Sequence, residues 1–319
     1  MSTQPNLPTD TQPNTSTDTQ AADADGTAPV PVPTRLLVHA LVREDGTVDS
    51  GELYAVAGLL GMTDQQVRLC IKRLVAEGRF THEGRGRKAL LKAVADFTGS
   101  ITPDVAYVRH AYRQDHGLAP WDGVWHLFAF AIPESSRTSR DTLRDTLRHL
   151  GAAPVQSGLY VSANPIGELV EAQARHLDVA HAVTCLTSTD LRIGGLDHPP
   201  GLAAALWPLD DIAARHDRLA GLAQVYLDRL TQPDGPTGPE RLAMAIQLAA
   251  AFTHAMEPDP LLPPELLPQP WPGAHARRLT AACWTALAGA DTHAPAGTPV
   301  PRLFVQYEDL LASVPEGLA

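Results

Sequence analysis

Lysine is almost missing from this chain of 319 residues: Lys72, Lys88 and Lys92 are the only three, and one short stretch holds them all. Cysteine is as scarce. Cys70, Cys185 and Cys283 stand far apart and match no metal spacing, which excludes a disulfide framework. Each has apolar neighbours, so reduced and buried thiols are expected. No apolar run approaches the length of a membrane span. The first 30 residues lack the apolar core of a signal peptide. A soluble, cytoplasmic protein is therefore expected. No Walker, GxGxxG or GxSxG sequence occurs. The 13 histidines form no HxxxH or HxH pair, so neither a metal site nor a cofactor is expected.

What is present is unevenly charged. Residues 1–34 carry −4, residues 35–92 carry +3 and residues 93–319 carry −10. A basic island in an acidic chain needs a reason. DNA affinity rests largely on neutralised phosphates, and the acidic remainder is repelled by DNA. Contact with a duplex should be confined to the one basic segment.

That segment has the parts of a winged helix-turn-helix in the right order. Leu36, Leu37, Ala40 and Leu41 follow helical spacing. Ser50 is a candidate cap for a second helix built on Leu53, Val56, Ala57 and Leu60. Thr63 and Gln66 form a capping box for a third. There Val67, Cys70, Ile71 and Leu74 make the inner face, and Arg68, Lys72 and Arg73 fall elsewhere on the wheel. Gly78 stops this helix. Phe80 and Leu90 to Val94 read as wing strands around the tip Gly84-Arg85-Gly86-Arg87-Lys88. One helix of such a module enters the major groove and the wing touches backbone beside it. Arg68, Lys72 and Arg73 are thus assigned to the groove, and Arg85, Arg87 and Lys88 to phosphates.

Five segments are expected along the chain. Residues 1–33 are polar and proline-rich and read as a disordered tail. The winged helix-turn-helix occupies 34–98 and a linking helix 99–119, with Tyr107, Val108, Ala111 and Tyr112 burying one side. Residues 120–200 read as βαββαβ, a ferredoxin-like unit. Its strands are Val124 to Ile132, Val155, Leu159 to Val161 and Val179 to Leu186. Its helices run from Ser136 to Leu150 and from Pro165 to His176. Residues 201–319 read as helical, with helices at 205–230, 238–257 and 274–288 around a proline-rich crossing from Asp259 to Gly273. The fold class is α+β.

Three groups of residues carry a family resemblance. The first is Val67-Arg68, Arg73-Leu74, Gly78 and Gly84-Arg85-Gly86-Arg87. The second is Trp121-Asp122-Gly123, Trp125, Ile132-Pro133-Glu134, Arg137, Arg140, Leu143-Arg144, Leu150-Gly151 and Gly158 to Ser162. The third is Asp259 to Pro268 with Trp271-Pro272-Gly273. In this order they resemble the PaaX family, the repressors of phenylacetic-acid catabolism, over about residues 35–290. The resemblance implies a winged helix, a Cas2-like middle domain and a helical C-terminal domain. It also implies a homodimeric, non-enzymatic repressor that leaves its DNA operator on binding an aryl-acetyl-CoA thioester.

Arg137, Arg140, Arg144 and Arg148 form one stripe along the first middle-domain helix. They are the candidate shelf for the effector's CoA phosphates. Asp141 and Asp145 offer the competing reading, a solvated face of paired charges. Two other functions stay open. A metal-dependent nuclease could be built on a Cas2-like domain, although the first strand ends Phe130-Ala131-Ile132-Pro133 without the Asp such chemistry uses. A regulator of another pathway that needs no effector is the second.

Overall fold

The structure is a computed structural model that describes residues 30–84, 89–94, 105–289 and 301–312. Three short helices open it: α1 (Thr34–Ala40), α2 (Ser50–Leu59) and α3 (Asp64–Ala76). The cap of α2 is Asp49, not Ser50. Asp49 is still extended, at the end of β1 (Thr47–Asp49), and its side chain turns to accept from the Glu52 amide at 2.8 Å. Ser50 is already helical and is buried. The Thr63–Gln66 capping box starts α3 as expected. Strands β2 (Phe80–Glu83) and β3 (Leu90–Ala93) complete an antiparallel sheet of order β1-β3-β2. The register sets Val48 beside Leu91 and Thr81 beside Lys92.

Helix α4 (Val105–Asp115) leads into the middle unit. Its elements are β4 (Trp125–Phe130), α5 (Arg137–His149), β5 (Ala153–Gln156), β6 (Leu159–Ser162), α6 (Gly167–His176) and β7 (Val183–Ser188). The sheet order β5-β6-β4-β7, all antiparallel, is that of the ferredoxin-like unit. One sheet face packs Phe128 and Tyr160 on Leu143, Leu147 and Val170 of the two helices. The other packs Trp125, Leu127 and Val161 on Trp207, Leu209 and Ile212 of the helical part.

Two expectations fail here. The last strand does not begin at Val179: Asp178 has φ 56° and residues 180–182 form a 3-10 turn, so β7 starts at Val183. Cys185 is exposed, not buried, because β7 is an edge strand whose middle residues stay open. Cys70 is half-buried, and Cys283 alone fits the expected buried thiol.

The C-terminal part is helical. The expected helix 205–230 is two: α7 (Pro199–Leu206) and α8 (Leu209–Leu230). Trp207 between them is extended, at ψ 145°, as a residue before proline prefers. α9 (Gly238–Met256), α10 (Pro272–Gly289) and α11 (Arg302–Ala312) follow. α9 is the central helix, with buried residues on almost every side. Its core is continuous with that of the winged helix. Leu37, Leu41, Leu53 and Val56 share one cluster with Leu248, Phe252, Leu303 and Tyr307. α2 packs directly on α9. The Arg302 amide donates to the Val42 carbonyl at 2.8 Å.

Candidate functional site

The basic helix is built from its apolar side. Val67 and Leu74 are buried, and Cys70 and Ile71 are half-buried. That geometry turns Arg68, Lys72 and Arg73 outward, and all three are exposed. Arg68 is held in place: its Nε donates to the Asp64 carbonyl at 3.1 Å. Lys72 and Arg73 meet no carboxylate among the described residues. At the far end of α3, Glu77 is taken by Arg35 at 3.0 Å, which cancels an acid beside the basic face. Arg85, Arg87 and Lys88 lie outside the described residues. The wing adds one cation that received no role from the sequence. Lys92 is exposed on β3 opposite Thr81, in the strand that continues the tip.

The arginine stripe lies along α5. Arg137 and Arg148 are exposed, and Arg140 and Arg144 are half-buried. Arg140 meets Glu134 at 2.7 Å, and Arg137 meets Asp141 at 3.6 Å. Arg144 meets Asp141 and Asp145, each at 3.2 Å. The Asp145 carboxylate, first by hydrogen bond and then by charge, holds Arg144 above its usual range. Arg148, in the last turn, has no carboxylate partner among the described residues. The Arg148 carbonyl accepts the Gly151 amide at 3.0 Å, closing the helix.

Gly151 leads to a polar junction that sequence reasoning missed. At φ 82° it has the left-handed backbone that suits glycine, and a Cβ there would lie 2.8 Å from the Pro260 carbonyl oxygen. Three parts of the molecule meet on Pro260 and Leu261. The Leu261 carbonyl accepts from Gln114 of α4 at 2.8 Å and from Asn164 of the middle unit at 2.9 Å. Asn164 also faces His110 of α4 at 3.2 Å.

Below this lies a buried ionic group. Arg277 of α10 grips both oxygens of Asp115, on α4, at 2.6 Å. It also faces Asp259 at 3.6 Å. Asp259 accepts from the Leu261 amide at 2.9 Å and stands 2.7 Å from His216 Nε2. Burial works against charge on Arg277, but the Asp115 and Asp259 carboxylates outweigh it and hold the guanidinium charged. Burial likewise opposes the Asp259 carboxylate, yet His216 and Arg277 keep it below the usual range. Tyr107 and Tyr112 of α4 are pushed up by burial and stay neutral donors. Tyr107 donates to the Asp259 carbonyl and Tyr112 to the Arg277 carbonyl. Gly151 and the Asp259 to Pro268 run stand out in the sequence, but their joining with α4 and α10 does not, because Asp115 and Arg277 are 162 positions apart.

Among the described residues, no His, Cys, Asp and Glu gather as metal ligands, and no helix is long and apolar enough to cross a membrane.

The PaaX protein central Cas2-like domain matches residues 118–199, and the PaaX-like protein C-terminal domain matches residues 207–295. Together they span just over half of the chain, which belongs to the PaaX family. It is thus a PaaX-like transcriptional regulator, of a family that binds DNA operators and is generally non-enzymatic. A solved structure, the uncharacterized protein Rv0674 from Mycobacterium tuberculosis, is 23% identical with a TM-score of 0.45. The match covers 75% of this chain and 88% of that one. No curated protein matches the chain.

Proposed function

We propose that this protein is a cytoplasmic repressor that binds its operator as a homodimer and releases it on taking up an aryl-acetyl-CoA thioester. The exposed trio Arg68, Lys72 and Arg73 on a capped, core-anchored helix carries the DNA part of this reading. Arg68, Lys72 and Arg73 face the groove, where Arg68 and Lys72 read base edges, while Arg85, Arg87, Lys88 and Lys92 serve backbone. Paired half-sites suit a two-fold dimer. The effector part is supported by family membership and by the α5 stripe. Arg148 has no carboxylate partner among the described residues, and Arg137, Arg140 and Arg144 would exchange a carboxylate for a phosphate.

The test is fluorescence anisotropy with DNA from upstream of the gene against random duplex. Arg68→Ala with Lys72→Ala should shrink the gap between the two by about 1–3 kcal/mol per lost base contact. An unchanged gap would place the reading surface elsewhere. Operator release that follows no acyl-CoA thioester would remove the effector and leave a regulator of another kind.

A further inference from the structure

A cavity of about 180 Å³ lies where α4, the proline-rich crossing and α10 meet. Leu261, Leu262, Leu267, Trp271 and Ala274 supply its apolar wall. Gln114, Asp115, Asp259, Gln269 and Arg277 supply its polar side. A cavity of roughly 150 Å³ holds benzene, so a single ring on a short arm fits this one.

The donors have a particular state. Arg277 gives Nε and Nη2 to Asp115. Among the described residues its Nη1 has only long contacts, 3.6 Å to Asp259 and 3.8 Å to the Met256 sulfur. The indole N–H of Trp271 has no acceptor among the described residues. The two groups converge at Gly273. A Cβ there would stand 2.6 Å from Trp271 Nε1 and 3.2 Å from Arg277 Nη1. Trp271 and Arg277 both line the cavity, so two N–H groups with spare capacity stand together at its edge.

Charge decides what they can hold. Arg277 already faces two carboxylates, so a further anion meets like charge, and a cation meets the guanidinium. A neutral carbonyl oxygen suits both donors and disturbs no ion pair.

We infer that this cavity binds the neutral, ring-bearing acyl group of the effector, with Arg277 Nη1 and Trp271 Nε1 donating to its carbonyl oxygen. This rests on the effector-released reading above, because the acyl end of a thioester has that chemistry. It also supplies a route to the DNA. Leu261 forms part of the wall with its backbone at φ 50°, a strained state for a residue with a side chain. Its carbonyl ties α4 to the middle unit through Gln114 and Asn164. A ring lodged against Leu261 pushes on the residue that fixes the linking helix.

The experiment is calorimetry on the full chain without DNA, using phenylacetamide, phenylacetate and benzylamine as probes. The amide should bind, and the acid and the amine should bind about tenfold more weakly or not at all. Ala274→Leu fills the recess and should abolish amide binding. Trp271→Phe keeps the ring but loses the donor, and should weaken amide binding about fivefold, the value of one net hydrogen bond. Both variants are first checked for an unchanged melting temperature, and Trp271→Phe carries the test if Ala274→Leu unfolds. No binding by any probe, tighter binding of the acid or amine, or wild-type affinity in the variants overturns the inference. A second arm adds phenylacetyl-CoA to the operator complex. Release that is equal in wild type and Ala274→Leu overturns the cavity and leaves the regulator. Amide binding without any thioester-driven release leaves the cavity and overturns the effector reading.

Discussion

A guanidinium with 4% of its side chain exposed is tolerable at Arg277 only because Asp115 and Asp259 stand beside it. Breaking a buried pair by removing one partner is costly, since it strands the other charge. Two histidines face the opposite problem. His39 is buried beside Phe80 and near Arg35 and Arg79, and burial first, then those cations, lower its proton affinity. Burial also lowers His110, against the opposing hydrogen bond that its ring donates to Asn164 Oδ1. Both therefore hold a proton less readily in the folded chain than an ordinary imidazole does, and unfolding returns them to the ordinary value. Stability is therefore complete above about pH 6.5 and is lost as pH falls below it, because the unfolded chain binds more protons. Melting temperature should drop between pH 7 and 5. The double variant His39→Gln, His110→Gln should show a flatter profile over that window. A slope that survives in the double variant assigns the acid sensitivity to other groups. None of this was visible in the sequence. A histidine reveals its neighbours only when the chain has folded, and His110 and Asn164 are 54 positions apart.

Elements were read more successfully than residues, where local chemistry governs them. α3 is marked by its own Thr63–Gln66 box, by the Val67 and Leu74 face and by the glycine after it. Thr63 Oγ1 accepts the Gln66 amide at 3.3 Å, and Gln66 Oε1 accepts the Thr63 amide at 2.7 Å. Thr63→Ala should cost about 1 kcal/mol, read by urea unfolding. It should also weaken operator binding, because the fraying turn carries Arg68 through its bond to Asp64. Full operator affinity in this variant would show that the first turn of α3 has no part in docking. Elements were misread where long-range packing decides. The helical pattern across 205–230 ignored Pro208, because Trp207 packs on both sides of the break and keeps the apolar spacing continuous. The stripe on α5 was legible as a stripe. Its carboxylate partners were half visible, since Asp141 and Asp145 are local and Glu134 enters from the preceding turn.

At the scale of the whole molecule, the sequence indicated three folded units in order and did not reveal that the first and last share a core. The apolar faces of α1 and α2 read as the inside of a small module. In the structure the same cluster takes in α9 and α11, far along the chain. Leu303 of α11 is fully buried in it. Leu303→Ala should therefore cost about 2–5 kcal/mol and lower hydrogen-exchange protection in α1 and α2 as well as in α9. Loss confined to the C-terminal helices would show that the winged helix stands alone.

The joint core also sets a timetable. Roughly 180 residues separate the end of α2 from the start of α9. At about 5–20 residues per second, a ribosome needs on the order of ten to forty seconds to supply them. Through that interval the winged helix is outside the ribosome without the helix that covers it, and α4 likewise waits for Arg277, 162 positions beyond Asp115. The winged helix is thus made before the helices that complete its core, and it is finished only when α9 and α11 have followed.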